Sequence, residues 1–489
     1  MPPSVLQNMT GGSMRHLALL LACLAAPAIA GSNPVTQPSA LSPEWQAKTR
    51  EMIKTAVEIP TVAGRGELKR MAEYLVGQFR AAGWPAEDVQ VLPYKGYQDE
   101  PTHALMVRWR APQPTRQKPI LIIGHMDVVE ARKADWETDP FTFIEKDGYF
   151  YGRGVNDDKQ GVISSAAAVL KLKSDGFKPA RDIILFYTGD EETQQNGARL
   201  GATEWKNMLD AEYALNADAG GGAFTRDFRP LGFGLQVAEK VYQSVTFTAT
   251  NRGGHSSRPR PDNAIYDLAA ALQKLQSHRF EPMMTEVNRA YFTARAQQEG
   301  DSSLGRAMRA WVANPNDGEA ADAIEASELE SGMTRTRCVA TMLEGGHAEN
   351  ALPQKAQATV NCRIMPGVPV AKVLQELRGI AGAQIKVEPV KAAVVSPPSP
   401  LRDDVVSAYT RSIRKLYGPD IAIIPHMSTG ATDGLFFRAA GIPVYGAEAS
   451  WGISPDDERA HGLDERIPIR SLFNNVVHWE NMLRALAGE

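Results

Sequence analysis

The sequence predicts an α/β protein. Its catalytic domain is a three-layer, mostly parallel sheet, interrupted by an inserted ferredoxin-like α+β domain that acts as a lid or dimerisation unit. Three observations carry this expectation. Residues 183–187, IILFY, form a continuous β-branched, leucine and aromatic run, the pattern of a strand buried on both faces. Strand-like runs alternate with amphipathic helices on either side of it, which implies crossover connections and a parallel sheet. From about residue 242 to residue 395 the order changes to βαββαβ, the ferredoxin-like succession.

The chain of 489 residues has room for two domains, and 43% hydrophobic with 22% charged residues excludes the disordered and fibrous classes. A formal net charge of -4 offers no large field, so neither nucleic acid nor an anionic membrane is suggested as a partner, and small neutral or charged metabolites stay open. Met14, Arg15 and His16 precede an apolar stretch at residues 17–26, and Ala28, Ile29 and Ala30 offer a small-residue cleavage site. Residues 14–30 therefore read as a secretory signal peptide, with Met14 as the start and a periplasmic or secreted destination. The apolar stretch is shorter than the ~20 residues that span a bilayer, and no later stretch reaches that length, so no stable membrane insertion is expected. Cys23 loosely resembles the cysteine of a lipoprotein box, but Leu21 is out of place in one, so no lipid anchor is expected. Cys338 and Cys362 alone follow the signal peptide, too few for a disulfide framework, and a bridge between them is left open.

Taken in order, Ser42 and Pro43 cap and start a helix carrying Trp45, Met52, Ile53, Ala56 and Val57. Leu68, Met71, Ala72, Leu75, Val76 and Phe79 form the stripe of a second helix, which Gly83 ends. Strands are expected at 104–108 and 119–123, the latter running into Gly124, His125, Met126 and Asp127. A helix over 161–174 leads to the 183–187 strand, and a short strand at 213–216 precedes Asp218. The insertion offers a strand at 245–250, then a helix capped by Asp262 with Ile265, Leu268, Leu272 and Leu275. Strands at 334–343 and 356–364, a helix over 370–380 and a strand at 385–390 complete it, with residues 280–330 as a helical addition. Proline-rich residues 396–400 read as the hinge back, giving a catalytic domain of residues 42–241 and 396–489 around an insertion of 242–395. A helix with Val405, Val406, Tyr409, Ile413 and Leu416, strands around Ala422 and Val444, and a helix with Leu472, Val476, Met482 and Leu483 finish the chain. The GRG at residues 152–154 lacks the spacing of a nucleotide loop.

The 183–187 run stops at three carboxylates, Asp190, Glu191 and Glu192. A solvated turn would explain an isolated acidic triplet, but ligands of open α/β sheets bind beyond the carboxyl ends of such strands. Other runs end similarly. His125 and Asp127 follow one strand, the loop GRGVNDDKQG carries Asp157 and Asp158, and Asp218 and His461 come later. Each alone reads as structural; imidazoles and carboxylates from five segments together suit zinc, which takes both at about 2.0 to 2.2 Å.

In this order GHMD, GRGxxDDK, DEE, NAD and AHGLDERI span nearly the whole mature chain. They resemble the co-catalytic di-zinc exopeptidases that include aminoacylase, glutamate carboxypeptidase, acetylornithine deacetylase and succinyl-diaminopimelate desuccinylase. The resemblance implies two Zn²⁺ per chain. Asp157 would bridge them, with His125 and Asp218 completing one site, Glu192 and His461 the other, and Asp127 orienting His125. Two departures stand out. Asp218 occupies a position that is Glu in many relatives and follows Asn216 and Ala217 in place of an acidic pair, while Asp158 competes with Asp157 for the bridge, although motif spacing favours Asp157.

Glu191 is then the implied general base, taking a proton from metal-activated water and returning it to the departing amine. His255 in RGGHSSRP is the implied donor to the oxyanion, often from a partner subunit in the family, which makes a homodimer through the insertion an implied partner; a structural turn is the competing reading. Asn350 in ENALP and Arg363 in NCRIMPG match substrate-binding positions, with Arg363 suited to a bidentate pair with a free carboxylate. Gly430 in STGATDG, with Thr429 beside it, resembles the segment that approaches that carboxylate. The implied activity is zinc-dependent hydrolysis of an amide next to a free carboxylate, of carboxypeptidase or dipeptidase type. WETDPF at residues 136–141, followed by DGYFYGRG, looks more like those members than the biosynthetic deacylases. An N-acyl amino acid amidohydrolase is the alternative, and an inactive binding scaffold a more distant one.

Overall fold

The computed structural model describes residues 32–488, so the expected signal peptide at 14–30 and Cys23 lie outside the described residues. The larger unit is an eight-stranded sheet. Across it run Val89–Lys95, Pro101–Trp109, Ile183–Thr188, Ile120–His125, Tyr213–Phe224, Val444–Ile453, Pro230–Glu239 and Ile423–Ser428. The central strands from Ile183–Thr188 to Val444–Ile453 are mutually parallel, and antiparallel pairings flank them.

Side chains of period two explain why the central runs are apolar throughout. Ile183, Leu185 and Tyr187 enter a core with helices Pro43–Val57, Leu68–Ala81, Lys159–Ser174, Asp403–Tyr417 and Ile469–Ala487. Ile184 and Phe186 enter a second core with the short helices Asn196–Ala202 and Gly434–Ala439. Helices on both faces make three layers, as the sequence predicts.

Several local expectations are corrected. The half-exposed strand Val89–Lys95, interrupted by Pro93, and the glycine-containing strand Pro230–Glu239 give weak strand signals and were not expected. Tyr213–Phe224 runs on past residue 216, through Asp218 and three glycines. Those glycines pack against backbone: a Cβ on Gly220 would lie 2.8 Å from the Gly446 carbonyl oxygen. Ser42 makes no side-chain cap, and Asn263, not Asp262, caps Ala264–Ser277 by accepting the Ile265 amide at 2.9 Å. Asp262 instead pairs with Arg260.

The smaller sheet runs Arg337–Gly345, Lys355–Ile364, Val241–Thr250 and Ile385–Pro389, all antiparallel, with Ala264–Ser277 and Val370–Ala381 sharing its core. Second, third, first and fourth in chain order is the ferredoxin-like arrangement. Cys338 lies opposite Cys362 in register, and the two form a disulfide. The helical addition, Glu286–Glu299, Ser303–Ala313 and Gly318–Glu325, has its own core around Phe292, Met308, Trp311 and Ile324. Its first helix packs on Ile423–Ser428, and Gln298 Nε2 donates to the Leu231 carbonyl at 2.5 Å. The addition thus covers an edge of the large sheet. Residues 396–400 are docked: the Ser399 amide donates to the Val237 carbonyl at 2.8 Å and its hydroxyl to that of Val444 at 2.7 Å.

Candidate active site

The sheet order brings the strand ends together. Ile120–His125 lies between Ile183–Thr188 and Tyr213–Phe224, so His125, the acidic triplet and Asp218 share one end of the sheet. Asp157 precedes the Lys159–Ser174 helix, and His461 sits in the loop after Val444–Ile453. Two motif glycines permit this convergence. A Cβ on Gly124 would lie 2.7 Å from Asp158 Oδ2, and one on Gly161 would run into Asp158 and the Ala217 carbonyl.

Asp157 stands between the two histidines. Its Oδ1 is 3.1 Å from His125 Nε2 and its Oδ2 is 3.2 Å from His461 Nε2. Asp218 Oδ1 lies 3.6 Å from His125 Nε2, and Glu192 Oε2 lies 2.9 Å from His461 Nε2. The donors therefore form two groups, His125 with Asp218 and His461 with Glu192, that share Asp157. Asp158 is buried beside them but turned to backbone: Oδ2 accepts the His125 amide at 3.2 Å, and Oδ1 has no partner. His125, Asp158 and Asp218 could also hold an ion, their ligand atoms lying within 4.8 Å of one another.

Asp127 joins the imidazole to the acidic turn. Its carboxylate accepts the amides of Glu191 at 3.1 Å and Glu192 at 3.0 Å. Its carbonyl lies 3.0 Å from His125 Nδ1 and Oδ1 lies 3.4 Å from it. A proton on Nδ1 leaves the Nε2 lone pair facing Asp157 and Asp218.

Charge is unbalanced in this cluster. Burial alone would lower His125, but Asp218, Asp127 and Asp157 outweigh it and hold the imidazole well above its ordinary range. Burial would likewise raise Asp157, yet hydrogen bonds from His125 and His461 hold it below the usual carboxylate range. Hydrogen bonds to Asp157 and Glu192 push His461 up to about 10, and burial pushes Asp218 up to about 6. Glu191 is raised well above the carboxylate range by burial, and its Oε1 accepts Gln195 Nε2 at 2.7 Å. Among the described residues no lysine or arginine lies within ion-pair distance of Asp157, Glu191, Glu192 or Asp218. Oxygen and imidazole donors with excess negative charge fit divalent cations.

Residues that the sequence reading left without a role hold this geometry. Glu465, inside AHGLDERI, is fully buried and accepts the amides of Asn156 at 2.8 Å and Asp157 at 3.0 Å with one oxygen. The other oxygen accepts Arg153 Nη1 at 2.6 Å and the Gly154 amide at 3.0 Å. Asp190 accepts the Tyr94 hydroxyl at 2.7 Å and the amides of Asn196 at 2.8 Å and Gly197 at 3.0 Å, which ties the acidic turn to the next helix. Lys159, buried, donates to the carbonyls of Ala56 and Ile59 at 2.8 Å each, where the first helix ends.

The model of Peptidase family M20/M25/M40 matches residues 121–485, most of the chain. The chain belongs to this family. Its members are metal-dependent hydrolases of amide bonds, and that is the class of this enzyme. Similar proteins include human N-fatty-acyl-amino acid synthase/hydrolase PM20D1, 28% identical over 90% of this chain and 88% of that protein. Another is probable carboxypeptidase S-like 2 of Dictyostelium discoideum, 26% identical over 78% of this chain and 74% of that protein. Among solved structures, the M20 family metallo-carboxypeptidase Sso-CP2 from Sulfolobus solfataricus superposes with a TM-score of 0.64 at 20% identity, covering 89% of this chain and 98% of that one. Human carnosine dipeptidase 1 superposes at 0.60 with 16% identity, covering 90% and 97%. These structures show the shared fold.

In this M20 chain the remaining expected site residues lie away from the cluster's contacts. His255 is exposed and its Nδ1 accepts the Ser257 amide at 3.1 Å. The strand pair Gly254–His255 and Ala351–Leu352 puts it beside Asn350, whose carbonyl accepts the Ser256 amide at 3.0 Å. Arg363, on Lys355–Ile364, lies over the Tyr242 ring at 4.7 Å and has no carboxylate partner among the described residues. The Gly430 amide donates to Ser428 Oγ at 3.0 Å, at the end of Ile423–Ser428.

Proposed function

We propose that this M20 enzyme binds two Zn²⁺ and works as an exopeptidase of dipeptidase or carboxypeptidase type. The observation that carries the reading is Asp157, whose two oxygens face different histidines, each accompanied by one further carboxylate. His125, Asp157 and Asp218 would hold one ion; Asp157, Glu192 and His461 would hold the other. Bound there, the ions supply Lewis acidity toward the scissile carbonyl and acidify an attacking water. Asp127 keeps the His125 ring in place. Glu191, steered by Gln195, takes the proton at its carboxylate and passes it to the departing nitrogen.

Arg363, lacking a protein counter-charge, is suited to a substrate carboxylate, with Asn350 and Gly430 as further contacts. His255 would donate to the oxyanion, and because it is exposed and held in a turn, closure of the insertion or a partner subunit must deliver it. A homodimer through the insertion is consistent with the edge strand Arg337–Gly345, which exposes Val339, Met342 and Leu343. The Cys338–Cys362 disulfide favours an oxidising compartment, periplasmic or extracellular. No helix among the described residues is long and apolar enough to cross a membrane.

The human relative's name favours a second reading, hydrolysis of N-acyl amino acids. Both readings are tested by incubating the zinc-loaded enzyme with unblocked dipeptides and N-acyl amino acids. Released amino acid, lost to chelation and restored by zinc, is expected. Chelator-insensitive release would sink the metal reading.

A further inference from the structure

A cavity of about 420 Å³ opens beside the cluster, between the glycine run of Tyr213–Phe224 and the Val444–Ile453 strand. It borders three of the five segments that carry the candidate ligands: Asn156 adjoins Asp157, Gly220 follows Asp218 by two positions, and Ala460 adjoins His461. The cavity is therefore the space offered to a substrate group held at the cluster.

Most polar groups around the cavity are already paired. Asp457 accepts Arg466 at 2.6 Å and the Ile453 amide at 2.7 Å, and Glu458 accepts the Ser454 hydroxyl at 2.5 Å. Glu448 differs. It accepts the Gln160 side-chain amide, and no cationic side chain among the described residues pairs with it. Gln160 cannot turn round, because its Oε1 accepts Asn475 Nδ2 at 3.0 Å. Asn475 is itself held by Ser164 at 3.0 Å and by the Ala449 amide at 2.8 Å. Glu448 Oε2 is thus fixed as an acceptor. Access to it depends on Gly221, where a Cβ would lie 3.3 Å from Glu448 Oε1.

We propose that Glu448 receives a protonated amine on the acyl half of the substrate, so that amides with an unblocked amino group are preferred over neutral fatty-acyl amides. This rests on the metallopeptidase reading and names its substrate class. An ammonium in the cavity forms a charge-assisted hydrogen bond. Burial pushes Glu448 up to about 8, so an entering ammonium draws out its ionised form, whereas a neutral acyl chain meets an uncharged group and gains no such bond; the preference comes from the amine's gain.

The test compares alanylphenylalanine with its N-acetyl and N-lauroyl-phenylalanine counterparts on the zinc-loaded enzyme. For the wild type, kcat/KM on the free-amine substrate should exceed that on the blocked ones by about tenfold or more. Glu448→Gln should bring the ratio close to one, and Glu448→Asp should retain part of it. Calorimetry with Glu191→Gln, alone and combined with Glu448→Gln, reads binding of the same ligands without turnover. Equal preference in the wild type, or a ratio unchanged by Glu448→Gln, overturns the proposal. Cleavage of only the N-acyl substrates sinks it while the amidohydrolase reading stands. If no substrate is cleaved, the functional reading fails and binding alone decides: tighter binding of the amine, lost with Glu448→Gln, supports the role, and equal binding overturns it.

Discussion

Glu465 Oε1 accepts the backbone amide of Asp157 at 3.0 Å, so the carboxylate that faces both histidines is itself positioned by a second, fully buried one. The same Glu465 neutralises Arg153, which is also buried. Glu465→Ala would leave that guanidinium without counter-charge and release the loop from residue 153 to residue 157. A loss on the order of 3–5 kcal/mol is expected, read as a lower denaturant midpoint. Glu465→Gln keeps the shape and should lose less stability, yet still weaken zinc binding roughly 10–100-fold in a competition titration.

Glu191 and Glu192 are neighbours with different surroundings. Glu191 meets Gln195 and Glu192 meets His461. Glu191→Gln should reduce kcat by about 10²–10⁴-fold while zinc content, measured by mass spectrometry, stays near wild type. Glu192→Ala should lower both. Matching behaviour of the two variants would refute the division of roles.

Arg363→Ala should raise KM for substrates with a free carboxylate by roughly 10–100-fold, the worth of a charge-assisted pair, with a smaller change in kcat. Substrates amidated at that carboxylate should bind wild type and variant alike. Steady-state kinetics with both substrate types is the check.

The disulfide joins residues 24 positions apart, Cys338 and Cys362. Cys338→Ser should cost about 3 kcal/mol through the freer unfolded chain. Urea unfolding with and without reductant should show the same shift in the wild type and none in the variant.

His478 is fully buried, its Nε2 lies 2.7 Å from the Ala447 carbonyl, and burial pushes it down to about 4. A folded-state value below the ordinary 6.5 means that the unfolded chain binds the proton first as pH falls. Its stabilising contribution is complete above about 6.5 and is lost toward about 4, a change on the order of 3 kcal/mol. Urea midpoints across that window should fall more steeply for wild type than for His478→Gln. Parallel slopes would contradict the assignment.

Much of the cluster is legible without coordinates because its imidazoles and carboxylates lie just past apolar strand runs or inside short motifs. Strand ends on one edge of a parallel sheet must converge, so His125, Glu191, Glu192 and Asp218 can be grouped before their distances are known. The secondary structure of the central strands is legible for the same reason: burial on both faces demands unbroken apolar runs. Val89–Lys95 and Pro230–Glu239 escape that logic, one as a half-exposed strand, the other through its glycines.

What the sequence determined by itself is the chemistry available: which imidazoles and carboxylates exist, and which runs must be buried around them. Tertiary structure decided which partner each group meets. Of the three carboxylates in a row, Asp190 is drawn to Tyr94, Glu191 to Gln195 and Glu192 to His461. Those partners come from other segments of the chain or the next turn. Glu465 and Glu448 likewise acquire meaning only from Asp157 and Gln160, more than 280 residues earlier. The physical reason is that a hydrogen bond is a distance and an angle, and sequence spacing specifies these only within one helix or strand.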